Sequence, residues 1–414
     1  MAEMFEIKEK EERLILVGVS TQDGDDTEES MDELEELAKT AGAVTVAKVI
    51  QNRENAHPGT YIGKGKIEEV KNLLAELDAT GVVCDDELSP AQLKNLEDAL
   101  SAKVMDRTIL ILDIFAQHAT TKEGKIQVEL AQLKYRSTRL VGMRNSMSRL
   151  GGGIGTRGPG EKKLEVDRRL LRDRISQLNH ELAEVKRNRE TSRGLRNKGT
   201  IPIVSIVGYT NAGKSTLLNL LTNAGVLEEN KLFATLDPTT RNLVLPSGQQ
   251  VLLTDTVGFI RKLPHHLIEA FRSTLEEAKF ADIILHVVDS SNPAADKHMH
   301  VVYETLNNLG VKDKTIVTAF NKQDLVEGDL VMKDFKADKI IKISAKENLG
   351  ISELLNILEE ILRERKILIE KVFHYNEAGK IQIIRKYGQL LEEEYQADGI
   401  YIKAYLPRDV FNSL

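Results

Sequence analysis

Gly208-Tyr209-Thr210-Asn211-Ala212-Gly213-Lys214-Ser215 sets two glycines, a lysine and a hydroxyl in the spacing G-x-x-x-x-G-K-S. The segment follows an apolar, β-rich run at 203–207 and leads into the helical pattern STLLNLLT. In that context the glycines let backbone N–H groups curl around phosphates, and the helix N-terminus adds positive potential. Lys214 is then placed to pair with β- and γ-phosphates, and the Ser215 hydroxyl to bind Mg²⁺. Asp255-Thr256-Val257-Gly258 closes the next β-rich run. A carboxylate there can hold the Mg²⁺ shell, and the Gly258 N–H can meet the γ-phosphate. Asn321-Lys322-Gln323-Asp324 closes a further run at 315–320. Its carboxylate can accept from the ring N–H and exocyclic amine of guanine. Adenine has no matching donor pair, so ATP would leave a buried acceptor unpaired. Ser344-Ala345-Lys346, after the run at 340–343, completes the expected base pocket with small side chains and a backbone N–H. Together these motifs specify a guanine nucleotide with Mg²⁺.

Three further features bear on the chemistry. A switch segment should supply a threonine to Mg²⁺, and Phe233-Ala234-Thr235-Leu236-Asp237-Pro238-Thr239-Thr240 offers three, among which spacing does not choose. Where many GTPases carry a water-orienting glutamine after D-x-x-G, this chain has Phe259, so slow intrinsic hydrolysis is expected, with Lys214 the catalytic candidate that remains. Asn211 stands where a side-chain carbonyl could hold K⁺ beside the phosphates, or could simply cap the loop.

Other candidates fall away. Gly59-Thr60-Tyr61-Ile62-Gly63-Lys64-Gly65-Lys66 looks like a second phosphate loop, but it is one residue short and has Gly65 in place of the Mg²⁺-binding hydroxyl. A structural or RNA-contacting loop suits it better than an ATP site. His265, His266, His298 and His300 lack a Cys or His partner at metal-ligand spacing, so no zinc site is expected.

The motifs need a scaffold of alternating strands and helices. Residues 201–364 supply one, with runs at 203–207, 251–254, 283–289, 315–320 and 340–343 as the strands of a mostly parallel sheet with helices on both faces, a P-loop GTPase domain. Residues 1–118 read as a smaller α/β domain, with strands at 14–20, 44–50, 81–84 and around 104–105 and helices near 29–41, 64–78 and 90–101. The last of these opens on Ser89-Pro90, an N-cap followed by proline at the first helical position. Residues 366–414 carry strand-like runs at 367–373 and 399–406 around a helix, a small α+β module.

Between the α/β domains the pattern changes. Ile126, Leu130, Leu133 and Leu140, then Leu164, Leu171, Ile175, Leu178, Leu182 and Val185, follow heptad-type spacings. They predict a helical hairpin over 119–198, flanking the glycine-rich segment 151–160. This stretch holds 20 Lys/Arg against 9 Asp/Glu, while the whole chain carries −7 and residues 1–40 alone −10. Arg136, Arg139, Arg144, Arg149 and Arg157 cluster towards the tip, with no acid between 131 and 150. A basic segment in an acidic chain suits a polyanion; a solvated helical face is the plainer reading.

At 414 residues with 41% hydrophobic and 29% charged, the composition excludes wholesale disorder. One cysteine, Cys84, excludes an internal disulfide. The acidic N-terminus is unlike a signal peptide, and no run of ~18 apolar residues could span a membrane. A reducing, cytoplasmic setting and a monomer are expected.

Three stretches make the chain resemble the HflX family of GTPases over nearly its whole length: YIGKGKIEE (61–69), SRLGGGIGTRGPGEKKLEVDRR (148–169), and FATLDPTTR (233–241) with DTVGFIRKLPHHLIEAF (255–271). The resemblance implies a cytoplasmic GTPase that binds the large ribosomal subunit and dissociates or rescues ribosomes, especially under stress. It implies Mg²⁺ on Ser215 and Thr235, and nucleotide contacts in 208–215, 233–237, 255–258, 321–324 and 344–346. It also implies a helical linker reaching towards rRNA and a ribosome that activates hydrolysis. Lys162 departs from the threonine of many relatives. Two other readings remain from the residues: a regulatory switch with a coiled-coil adaptor, and ATP-driven RNA remodelling by the N-terminal domain.

Overall fold

The computed structural model describes residues 11–21, 26–147, 159–196, 201–222, 232–233, 235–264, 267, 277–326, 328, 332–364, 366–407 and 410–411. The chain forms two compact units: Met1–Lys186 with Glu229–Asp237 and Ile260–Ser273, and Arg187–Glu228 with Pro238–Phe259 and Thr274–Leu414. The sequence-based domains follow chain order, whereas these units take up two short segments of the motif region separately.

The first unit opens with strands β1 (Arg13–Ser20), β2 (Val44–Asn52), β3 (Gly81–Cys84) and β4 (Lys103–Asp106). They form a parallel sheet in the order β2-β1-β3-β4. Helices α1 (Thr27–Thr40), α2 (Lys64–Glu76) and α3 (Pro90–Leu100) connect the strands. Ser89 and Gln92 close a reciprocal capping box on α3, as the Ser-Pro start implies. Ile15, Val17, Val70, Val82 and Leu96 belong to the core on one side of this sheet. A fourth helix, α4 (Arg107–His118), was hidden in the sequence. The sequence reading stopped at the strand around 104–105; just past it the Asp106 carboxylate accepts from the Ile109 N–H at 3.0 Å and caps a helix.

Two long helices follow, α5 (Lys122–Met147) and α6 (Pro159–Arg196). Ile126, Leu130, Leu133, Ile175, Leu178, Leu182 and Val185 pack as one cluster, the side chains that the heptad spacing selects. Arg174 clasps Glu129 through two N–H···O bonds of 2.8 and 3.0 Å across the pair. Arg149, Arg157 and most of the glycine-rich segment lie outside the described residues.

In the second unit, β5 (Ile203–Gly208), β6 (Thr239–Val244), β7 (Gln250–Asp255), β8 (Ile283–Asp289), β9 (Thr315–Asn321) and β10 (Lys339–Lys342) form one sheet. The order is β10-β9-β8-β5-β7-β6, parallel except for the antiparallel edge pair β6–β7. The sequence reading treated 239–240 as switch residues and did not anticipate β6. There Thr240 pairs with Thr254, their hydroxyls 3.0 Å apart. Helices α7 (Lys214–Thr222), α8 (Glu277–Phe280), α9 (Ala295–Asn308) and α10 (Ile351–Glu364) accompany the sheet. The C-terminal module is a three-stranded antiparallel sheet with a helix: β11 (Lys366–Phe373), α11 (Ala378–Tyr387), β12 (Gln389–Gln396) and β13 (Gly399–Pro407). Its middle strand is β13, with Ile402 and Ala404 in the core. Among the described residues no helix is long and apolar enough to cross a membrane.

Candidate active site

The motif residues of the second unit gather at the carboxyl ends of β5, β7 and β9, where open parallel sheets place ligands. The phosphate loop leaves β5 at Gly208, turns through Asn211 in the left-handed region (φ 59°), and enters α7 at Lys214. Gly213 has φ 92°, and a Cβ there would lie 2.3 Å from the Asn321 Nδ2. The close approach matters because Asn321 ties the loop to the base-side segments. Its Nδ2 donates to the Ala212 carbonyl at 2.8 Å, and its Oδ1 accepts from the Ala345 N–H at 2.9 Å.

Lys214 is buried, and its Nζ donates to the Tyr209 carbonyl at 2.7 Å. Burial pulls its pKa down to about 8 despite the nearby Asp255. A triphosphate that reached this ammonium would restore the charge. The Ser215 hydroxyl donates to Asp255 Oδ2 at 2.8 Å. These oxygens are the hard donors that Mg²⁺ selects. A Cβ on Gly258 would stand 2.9 Å from the Thr210 Cα and 3.0 Å from the Lys214 Nζ, so the glycine leaves the cradle open. The residues fit a phosphate–Mg²⁺ group.

On the base side, Asp324 Oδ1 accepts from the Ser344 hydroxyl at 2.5 Å. Lys322, itself left-handed (φ 62°), pairs with Asp289 at 2.7 Å, and Gln323 donates to the Ser290 hydroxyl at 2.8 Å. Asp289 and Ser290 are supports that the sequence reading missed; their place at the end of β8, beside the β9 motif, was the available signal. His298, weighed in the sequence only as a metal ligand, stacks its ring on Tyr209 with centroids 3.7 Å apart. Lys346 is mostly exposed. Thr256 donates its hydroxyl to the Ile206 carbonyl, and Val257 is buried.

Phe233, Leu236 and Asp237 belong to the first unit, as does Thr235. Phe233 meets Phe115 edge-on at 4.7 Å. The Asp237 carboxylate accepts from the N–H and hydroxyl groups of Thr120 and Thr121 at 2.5–3.0 Å. Burial pushes this carboxyl up, but those four donors outweigh it and hold it below the usual range. Ala234 lies outside the described residues. The segment after D-x-x-G is likewise held in this unit: Arg261 pairs with Asp26 at 3.0 Å, and Lys262 with Asp86 at 2.7 Å and with Asp85.

One sequence expectation changes. Arg139, counted among the exposed cations, instead pairs with buried Asp106 at 2.6 Å and lies 3.2 Å from the centroid of the Tyr135 ring. Its charge is spent inside the unit. The 59–66 loop uses its own amides: Gly59 and Thr60 N–H groups donate to His57 Nδ1, and Gly63 N–H to Gln51. It offers no phosphate cradle of the Walker kind.

Comparison with known proteins agrees with this geometry. Three family models match in series: "GTP-binding GTPase N-terminal" over residues 28–116, "GTP-binding GTPase Middle Region" over 118–196, and "50S ribosome-binding GTPase" over 203–322. The GTPase HflX of Lacrimispora saccharolytica is 68% identical over 414 residues, covering 100% of this chain and 98% of that one. The chain belongs to the HflX family of GTPases. A second HflX, from Caldanaerobacter subterraneus subsp. tengcongensis, is 50% identical over 97% of this chain and 92% of that one. Among solved structures, that of SsGBP with GDP aligns with a TM-score of 0.49 and 26% identity, over 84% of this chain and 98% of that chain. As a member of the HflX family, the protein binds GTP and hydrolyses it to GDP and phosphate.

Proposed function

We propose that this HflX-family GTPase binds the large ribosomal subunit and dissociates or rescues ribosomes under stress, with the basic helical hairpin contacting rRNA. The observation that carries the reading is the charge of residues 119–198: 20 cations against 9 acids, most of them on the two long helices α5 and α6, in a chain of net charge −7. The match to a model described as a 50S ribosome-binding GTPase supports it. Arg136 and Arg144 on α5, with Arg149 and Arg157 beyond it, are the proposed rRNA contacts; Arg139 drops out because Asp106 holds it.

In the pocket, residues 208–215, 233–237, 255–258, 321–324 and 344–346 hold the nucleotide. Ser215 and Thr235 ligate Mg²⁺, and Asn211 is a candidate ligand for K⁺. Mg²⁺ held there would supply positive charge against the negative charge that develops on the phosphates. Lys214 adds its own charge to the same oxygens, Asp324 reads the guanine edge, and Gly258 leaves room for the γ-phosphate.

The test is sucrose-gradient co-sedimentation with large subunits, with GDP or a non-hydrolysable GTP analogue. Replacing Arg136, Arg144, Arg149 and Arg157 with glutamine should weaken binding and flatten its salt dependence by roughly 0.7–0.9 in log–log slope per lost phosphate contact. Nucleotide affinity should stay near wild type. Unchanged co-sedimentation would remove the rRNA role and favour a hairpin that binds a protein partner.

A further inference from the structure

Phe335 is 92% exposed, the most exposed large apolar side chain among the described residues; Tyr395 follows at 68%. It does not sit on a loose end. Three residues before it, Met332 packs against the cluster of Val288, Met299 and Phe320. One residue before it, Asp334 is buried and accepts from the Tyr303 hydroxyl at 2.6 Å and the Thr318 hydroxyl at 2.7 Å. The other oxygen of Asp334 accepts from the Lys336 N–H at 3.0 Å and turns the chain just past Phe335. Inward Met332 and Asp334 thus alternate with outward Lys333 and Phe335. The second unit pins this turn to β9 and α9 and holds the ring in water.

The segment that carries the ring is rich in cations. Residues 332–346 carry Lys333, Lys336, Lys339, Lys342 and Lys346 against only Asp334 and Asp338. Both carboxylates are engaged internally, since Asp338 accepts from the Ile316 N–H at 2.8 Å. Lys336 holds its ammonium 4.7 Å from the Tyr303 ring, at the root of the same turn. Rigid aromatic surface between cations is what a single-stranded nucleic acid engages: cations track the backbone, and a base stacks on the ring.

We infer that Phe335 is a stacking platform for one unpaired nucleobase, with Lys333 and Lys336 meeting the flanking phosphates. The ligand is a single-stranded RNA segment, and the contact is separate from the nucleotide pocket. It rests on the proposed action on an RNA-containing particle and adds a second RNA contact, on the GTPase domain itself.

The full chain is titrated with a fluorescent twelve-nucleotide oligo(A) and with an abasic strand of equal length, and anisotropy is read. Phe335→Ala should weaken oligo(A) binding roughly ten- to a hundredfold, the loss expected for one base–aromatic stack. Phe335→Tyr should keep wild-type affinity, and Phe335→Leu should not restore it, because leucine is apolar but has no π-face. All variants should bind the abasic strand alike, and unfolding temperature and basal GTP turnover should not move. Equal oligo(A) affinity for wild type and Phe335→Ala overturns the inference. So does rescue by leucine as full as by tyrosine, which would mark Phe335 as an apolar plug for a protein surface. Wild-type co-sedimentation with large subunits separates the two readings: if it persists while the oligo(A) result is negative, only the stacking site fails.

Discussion

Thr210 donates its backbone N–H to the carbonyl oxygen of Phe259 at 2.7 Å, and Phe259 returns its own N–H to Gly208 at 3.1 Å. The phosphate loop and the end of the D-x-x-G segment are thereby paired like a short extension of the sheet. The Phe259 ring is buried at 2% exposure and has no group that could hold a water.

Intrinsic GTP turnover should therefore be slow and should need an outside group. Large ribosomal subunits should accelerate it, on the scale of about 10³–10⁵-fold seen when a partner completes other GTPase sites. Asn211, held left-handed at φ 59°, is the residue through which K⁺ would contribute. Turnover in KCl should exceed turnover in NaCl at equal ionic strength, and Asn211→Ala should erase the difference. Equal wild-type rates in both salts would remove K⁺ from the reaction.

Asp324→Asn should move preference from GTP towards xanthosine triphosphate. Xanthine puts a carbonyl where guanine has an amine, so an amide donor suits it better than a carboxylate. Ser344 already orients the Asp324 carboxylate at 2.5 Å and can orient an amide similarly. Competition between the two triphosphates on one sample decides; retained GTP selectivity would show that another group reads the base.

Nucleotide binding should take up a proton above about pH 8. Burial lowers Lys214 to about 8 from 10.5. Between those values the unfolded chain holds a proton that the folded chain lacks, so this group's contribution to folding stability rises with pH across the window. Phosphates beside Lys214 reverse the shift and recharge it. Calorimetry of GDP binding at about pH 8.5, in buffers of different ionisation enthalpy, reads the proton directly. Buffer-independent heats at that pH would contradict the assignment of Lys214 to the phosphates.

Arg107→Met should destabilise the first unit by about 3–5 kcal/mol, the usual cost of stranding one partner of a buried ion pair. Arg107 is 1% exposed, bonds Asp85 Oδ1 at 3.0 Å and also pairs with Glu33. Burial would push Asp85 up, yet Arg107 and Lys262 hold it below the usual carboxylate range. That contribution is present above the unfolded carboxylate value and lost as pH falls through the folded one. Urea unfolding at neutral pH and in acid checks both; equal midpoints for variant and wild type at neutral pH would show that the pair adds nothing.

The sequence by itself determined the parts whose chemistry is local. Gly208–Ser215, Asp255–Gly258 and Asn321–Asp324 each read as strand-end motifs because a phosphate loop, a carboxylate or a base reader needs only a few adjacent residues. The heptad spacing of Ile126, Leu130, Leu178 and Leu182 likewise named the side chains that pack, since helical periodicity is a property of the chain alone. Tertiary structure decided whatever depends on distant partners. Arg139 looked like one more exposed cation until Asp106, 33 residues earlier, took it. Helix α4 went unread because most of its first turns are apolar and buried, which thins the polar spacing that marks a helix. The motif spacing named Asp237, but only the fold shows its carboxylate accepting four hydrogen bonds from Thr120 and Thr121, more than a hundred residues away. Spacing announces a motif within one turn or strand, but a charge, a cap or an anchored aromatic gains its role only from residues that folding brings beside it.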